Sequence, residues 1–246
     1  MKKQFFTSSI VFMLFLTTLC SSNLFAKDYK ASLAQMPCYA ESMEKGVLVD
    51  FTKALAEVSN GKITYQVVPF NRSMYAVENK QVDFHMPLIK LPDSKKAEIA
   101  KLNYDYSTET IFHVNFTLYS NKKKPLDMKN LKAYKIETDN AHTPYFDFPI
   151  TGVTNLEASI RKVDAGQIDG LIFADAAIDN IIKSQGIKNI KRELYHRFDV
   201  KIILPKGGQG GETDKMLSEV IGKLKKSGKF NTIMGGIDAP YDNWQP

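Results

Sequence analysis

Between Gly46 and Ile89 the hydrophobic positions change period from helical to extended and back. Phe51, Ala54, Leu55 and Val58 recur at i, i+3, i+4, i+7, which predicts one apolar face of a helix. Asn60-Gly61 tolerates the left-handed cap conformation and predicts that helix's end. Ile63, Tyr65, Val67 and Val68 form a β-rich run closed by Pro69. Met74 and Val77 predict a second short helix, and Val82-Asp83-Phe84 opens a further strand. Upstream, Lys30 to Met36 predicts a first strand, broken by Pro37 and followed by a loop over Cys38 to Ser42. Strands alternating with helices predict a parallel sheet with helices on its faces. Ligands of such sheets bind beyond the carboxyl ends of the strands. Those ends are Pro69 to Arg72 and Met86 to Ile89.

Beyond a polar stretch, Lys90 to Lys101, extended patterns return at Leu102–Tyr106 and Ile111–Ser120, and Asn121 to Pro125 breaks them. The βα alternation then restarts. Ala133 to Glu137 predicts a strand, and Thr138 to Pro144 a loop that opens the aromatic segment Tyr145 to Phe148. Asn155 is placed to cap a helix carrying Leu156, Ile160 and Val163. Gly170 to Phe173 reads as a buried strand with Asp175 just past its end, before a helix over Ala176 to Gly186. Ile187–Glu193 and Val200–Pro205 predict two more strands, and Met216, Leu217, Val220, Ile221 and Leu224 the face of a last helix. Gly207 to Gly211 lacks the Gly-Lys-Ser/Thr ending of a phosphate loop and reads as a flexible loop capped by Thr213. Two successive βα units predict an α/β fold of two lobes, hinged by two extended crossings near 113–123 and 198–206, with a cleft between them. Such clefts are common ligand sites.

The start of the chain sets the compartment. Met1-Lys2-Lys3 is a basic n-region, and Ile10 to Leu19 an apolar core too short to span a bilayer. Ala26 predicts cleavage before Lys27, so 1–26 reads as a signal peptide and the periplasm as the destination. Cys20 follows the large Leu19 where a lipid-processing site takes a small residue, so no lipid anchor is expected. No second long apolar run exists among the 246 residues. The formal net charge of +6 is mild, and the one basic run, Lys122-Lys123-Lys124, has no interleaved aromatics. It reads as a solvated turn, and no nucleic-acid partner is expected. With Cys20 removed only Cys38 remains, so the fold carries no internal disulfide.

Several segments in order resemble the periplasmic solute-binding proteins of family 3, the polar-amino-acid type. They are Gly46 to Phe51, Val67 to Arg72, Val82 to Phe84, Gly166 to Gly170, Ala174-Asp175 and Lys225 to Phe230. The resemblance covers essentially the whole chain after residue 26. It implies a type II binding-protein fold: a first lobe at 27–117, a second at 118–204, and a return to the first at 205–246. It also implies closure around one small solute, a monomer, and delivery to an inner-membrane ABC permease. The family pattern places T-P-E-R after the third strand, its Arg holding a ligand carboxylate. Here Leu91-Pro92-Asp93-Ser94-Lys95 stands there, and Lys95 is the nearest cation. The second-lobe loop, Glu137 to His142, lacks the family's Gly-Thr pair. Asp175 matches the family's acidic position facing a ligand amine.

The candidate chemistry follows. Arg72, at a helix start, could grip a carboxylate bidentately; the alternative is a surface arginine on a first turn. Phe70 and Tyr39 could sandwich an apolar or cationic part of a ligand, or simply pack the rim. Asp175 could pair an ammonium or cap its helix. The expected ligand set is Tyr39, Phe70, Arg72, Leu88 and Lys95 in the first lobe, and Thr138, Asn140, His142 and Asp175 in the second. His85, His113, His142 and His196, with Cys38 and Met86, show no His-x-x-x-His spacing, so no metal or cofactor is expected. No Gly-x-Ser-x-Gly or His-Glu-x-x-His motif is present. Cys38 reads as a small buried thiol rather than a nucleophile. A binding protein is expected rather than an enzyme. A sensor lobe for a membrane receptor and a dehydratase-like enzyme on the same scaffold are the alternatives.

Overall fold

The computed structural model describes residues 27–59 and 63–246. The expected signal segment, Cys20 and the Asn60-Gly61 helix stop lie outside the described residues. The first half runs β1 (Tyr29–Ala34), α1 (Val47–Val58), β2 (Ile63–Val68), α2 (Phe70–Glu78), β3 (Phe84–Ile89), α3 (Lys96–Ala100) and β4 (Tyr104–Asn121). The second runs β5 (Ile136–Asp139), β6 (Thr151–Val153), α4 (Leu156–Asp164), β7 (Gly170–Ala174), α5 (Asp175–Gln185), β8 (Ile190–Pro205), α6 (Glu212–Lys226) and α7 (Lys229–Met234).

Among the described residues eight strands join one sheet, in the order β2-β1-β3-β8-β4-β7-β5-β6. β1 runs parallel to β2 and β3, and β5 parallel to β6 and β7, as helical crossovers require. The sheet is nonetheless mixed, not wholly parallel as expected. β8 runs antiparallel to β3 and β4, and β4 antiparallel to β7. The cause is length. β4 and β8 pair from Tyr104 against Pro205 to Asn121 against Ile190, so one ribbon carries the chain out and back through both lobes.

Burial divides along that ribbon. The first core holds Leu48, Phe51, Leu55, Phe84 and Met86 with Ile111, Val200, Ile202 and Leu204, under α1, α6 and α7. A second holds Phe116, Leu118, Ile136, Ile172 and Phe198, and a third packs Ile160, Val163, Ile178 and Ile182 of α4 and α5 on Leu171 and Ile190. Val200, Ile202 and Leu204 pack in the first core and Phe198 in the second, so the cores change over near Phe198–Val200. The predicted helix faces pack inward. Asn155 caps α4, its Oδ1 accepting from the Ala158 amide at 2.9 Å. α1 starts at Gly46, where two constraints exclude a side chain: φ is 133°, and a Cβ would lie 2.4 Å from the Tyr39 carbonyl oxygen.

Candidate functional site

The rim of the first lobe is built where β2 and β3 end. Pro69 closes β2 and starts α2, which lifts Phe70 and Arg72 to the surface. Phe70 is 38% exposed and meets the His85 ring edge-on at 5.7 Å. Arg72 is exposed, and no carboxylate among the described residues pairs with it. Beneath them lies a buried polar cluster. The Ser73 hydroxyl sits 2.5 Å from His85 Nδ1 and 2.7 Å from Ser32 Oγ. His85 Nε2 is buried without a partner, and burial pushes the imidazole down to about 4, so it stays neutral.

The loop after β1 brings in Tyr39. Its ring stacks on Phe112 at 5.5 Å. Burial raises its phenol, and the nearby Cys38 and Asp175 raise it further, so Tyr39 of the first lobe lies within electrostatic reach of Asp175 of the second. Cys38 is an exposed free thiol with φ of 66°, not the buried one expected.

Asp175 opens α5. Its Oδ1 accepts from the Ala176 amide at 2.7 Å and its Oδ2 from Asn115 Nδ2 at 3.1 Å. Both donors are neutral, and no cation among the described residues pairs with this carboxylate. His142 stands in the turn after β5, its Nδ1 3.0 Å from Asp139 Oδ1 and its ring against Phe116 and Phe173 at 5.5 and 5.2 Å. Asn140 starts that turn, exposed, with its Oδ1 pressed on Gly152, where a Cβ would come within 2.4 Å.

Three expected ligand residues are otherwise employed. Thr138 is buried and donates to the Ile172 carbonyl at 2.7 Å, stitching β5 to β7. Leu88 packs against the cluster of Tyr106 and Ile203, supporting the wall. Lys95 reaches across to the second lobe, 2.8 Å from Asp147 Oδ1 and 3.0 Å from the Phe146 carbonyl. Ser94 holds the other Asp147 oxygen at 2.8 Å; bonds from Lys95 and Ser94 keep that carboxyl below the usual carboxylate range. The Tyr145 hydroxyl adds a bond to the Ile89 carbonyl at 2.7 Å. The lobes are thus tied by side chains at this end of the cleft.

Asn115, Tyr145 and Asp147 are additions that the sequence pattern does not point to. An asparagine in the middle of the β-rich run 113–119 is the one available signal, since such positions favour β-branched and aromatic residues. At the crossing itself, Asp238 accepts from the His113 ring at 2.9 Å and from Arg197 at 2.6 Å. Burial works against the Asp238 charge, but the bonds from His113 and the Arg197 charge outweigh it, and its pKa falls below the ordinary value.

Elsewhere, two cavities of about 330 and 350 Å³ lie beside Lys80, Pro205 and Glu212, and along Thr64, Tyr65 and Gln81. Neither lies between the lobes. The amides of the glycine-rich loop serve the protein's own carboxylates: Gly207 donates to Asp105 at 2.7 Å and Gly210 to Asp214 at 2.8 Å. Asp214, not Thr213, organises that loop, binding Thr108 as well. Among the described residues no three His, Cys, Asp or Glu side chains converge to hold a metal ion, and no helix is long and apolar enough to cross a membrane.

No protein-family model and no curated protein matches the chain. Solved structures do. The ligand-binding core of GluR0 from Nostoc punctiforme, in complex with L-glutamate, superposes with a TM-score of 0.59 at 13% identity, over 86% of this chain and 100% of that one. A histidine kinase sensor domain similar to periplasmic binding proteins gives 0.59 at 15% identity, over 86% and 96%. The arginine-, lysine-, histidine-binding protein ArtJ from Geobacillus stearothermophilus gives 0.56 at 18% identity, over 89% and 97%. The chain therefore has the two-lobed, mixed α/β fold of periplasmic binding proteins, hinged by two extended crossings. At such identities the likeness fixes the fold and leaves the solute to be argued from the site.

Proposed function

We propose that this chain is a periplasmic binding protein that captures a small amino-acid-like solute and presents it to an inner-membrane ABC permease. The carrying observation is the pair of uncompensated charges on opposite lobes. Arg72 has no carboxylate partner among the described residues, and Asp175, which opens α5, accepts only from the neutral amides of Ala176 and Asn115. A zwitterion offers the complementary carboxylate and ammonium, and charge-assisted bonds of this kind are the strong ones. Tyr39 and Phe70 offer aromatic faces on the first-lobe side, and His142 and Phe173, backed by the buried Phe116, on the second. Asn140 adds an exposed amide at the loop after β5. Lys95 enters this reading as a closing contact rather than a ligand contact. The similarity to a histidine kinase sensor domain supports a second reading, in which the closed form is read by a membrane receptor; solute capture is common to both.

A thermal-shift screen over L-arginine, L-glutamate, L-glutamine, polyamines and organic acids tests the reading. At a hundredfold excess over Kd a ligand stabilises by about 2.7 kcal/mol. For a chain of this size that corresponds to a rise of roughly 5–10 °C. A hit should be lost or weakened at least about tenfold in Arg72→Ala and in Asp175→Ala, one charge-assisted bond being worth about 1.5–3 kcal/mol. An amino-acid hit unaffected by both substitutions would remove this site assignment.

A further inference from the structure

The segment after α7 does not stay with the first lobe, as a simple return of 205–246 would require. α7 itself is anchored there, Phe230 and Met234 lying in the first core and Phe230 meeting Phe51 edge-on at 5.7 Å. Residue by residue the chain then leaves. Asp238 joins the crossing ribbon, accepting from the His113 amide at 3.1 Å as well as from its ring and from Arg197. The Ala239 carbonyl accepts from Asn115 Nδ2 at 3.3 Å. Tyr241 and Trp244 then close over Arg192 of β8, their rings 5.3 and 4.9 Å from its guanidinium carbon. Trp244 also packs against the core beneath α4 and α5, with Lys183 over its ring at 4.4 Å. Gln245 brackets the Arg192 backbone, accepting from its amide at 2.9 Å and donating to its carbonyl at 3.0 Å, as a neighbouring strand would.

Arg192 explains why the segment is held. Its side chain is fully buried in a β-strand, where a charge is costly unless wholly satisfied. Asp179 supplies two acceptors, to Nε at 2.8 Å and to Nη2 at 2.5 Å. Among the described residues Nη1 is satisfied by the Asp242 carboxylate and the Trp244 carbonyl. A buried cation in the second lobe is completed by residues delivered from the first.

We propose that residues 238–246 form a strap that crosses outside the two extended strands, limits how far the lobes separate, and positions Asp175 through Asn115. The last part rests on the reading of Asp175 given above. One amide group, Asn115 Nδ2, donates to the Asp175 carboxylate and to the strap's Ala239 carbonyl together. Docking of the strap fixes the Asn115 rotamer, and that rotamer fixes Asp175 Oδ2. Asn115 is a positioning residue here, and the strap is what positions it.

Two ligand-free measurements test this, so they stand or fall apart from the solute screen. In a Cys38→Ser background, spin labels at Lys53 of α1 and Lys188, before β8, report the interlobe distance by pulsed electron resonance. Trp244→Ala, and a chain ending at Ile237, should lengthen the mean by more than about 2 Å, the scale of hinge rearrangements, and broaden the distribution. Trp244→Ala carries the measurement if the shortened chain fails to fold. In parallel, the side-chain amide proton signals of Asn115, assigned by their loss in Asn115→Leu, should move upfield and exchange faster in both variants. An unchanged distance distribution in folded Trp244→Ala overturns the strap; unchanged Asn115 signals overturn its hold on Asp175.

Discussion

Acid should destabilise this protein through His85, and the size of the effect follows from the geometry at the first-lobe rim. His85 is fully buried, its Nδ1 engaged with Ser73 and its Nε2 without a partner. Burial lowers its pKa from 6.5 to about 4. In the unfolded chain the imidazole takes up a proton below 6.5, whereas the folded protein resists until about 4. Folding stability tied to His85 is therefore whole above pH 6.5, falls as pH drops through the window, and levels off below about 4. At about 1.36 kcal/mol per unit the loss is on the order of 3 kcal/mol. His85→Asn keeps an acceptor near Nδ1 and removes the titration. Urea unfolding at pH 7, 6, 5 and 4, read by circular dichroism, gives both curves; carboxylates titrating in both proteins cancel in the difference. The variant should be less stable at pH 7 and should approach or overtake the wild type at pH 4. Parallel curves would mean that His85 is protonated or hydrated in the folded state, and the buried cluster would have to be redrawn.

Two further substitutions probe the framework around the site. Gly46→Ala places a Cβ within 2.4 Å of the Tyr39 carbonyl at a φ of 133°, and should cost about 2–4 kcal/mol in urea unfolding while displacing Tyr39. Arg192→Met strands the partly buried Asp179 carboxylate and should cost about 3–5 kcal/mol, part of which Arg192→Met/Asp179→Leu recovers, measured by the same unfolding assay.

How much can be read from the chain depends on whether the cause of a structure is local. α1, α4, α5 and α6 are legible because each buries one face at helical spacing. β4 and β8 read as pairs of shorter strands because polar positions interrupt them: Glu109 in one, Arg197 and Asp199 in the other. Arg197 and Asp199 lie at the ribbon's passage between lobes, where the hydrophobic cores change over, whereas Glu109 lies within the first-lobe stretch and meets Lys225 of α6. β6, three residues long, is too short to show a period. Of the site, Arg72 and Asp175 stand at element starts, where local pattern points. Asn115 escapes a sequence reading because its partners lie 60 and 124 residues away. The places of Thr138 and Lys95 along the chain are legible, but only the fold shows that one hydroxyl faces a neighbouring strand and that one ammonium faces Asp147.

The shared ribbon also dictates an order of assembly. β3 finds its antiparallel neighbour only in Val200–Ile203, more than a hundred residues later along the chain. α1 acquires its covering helices later still, from α6 and α7. A chain emerging from its N-terminus thus completes the second lobe's strands and helices before the first lobe can close its sheet. Loop closure over such a span is entropically slow. The half that begins first closes its sheet last; its apolar surface stays open until α6 and α7 arrive, and Arg192 of the second lobe waits later still for Asp242 and Trp244.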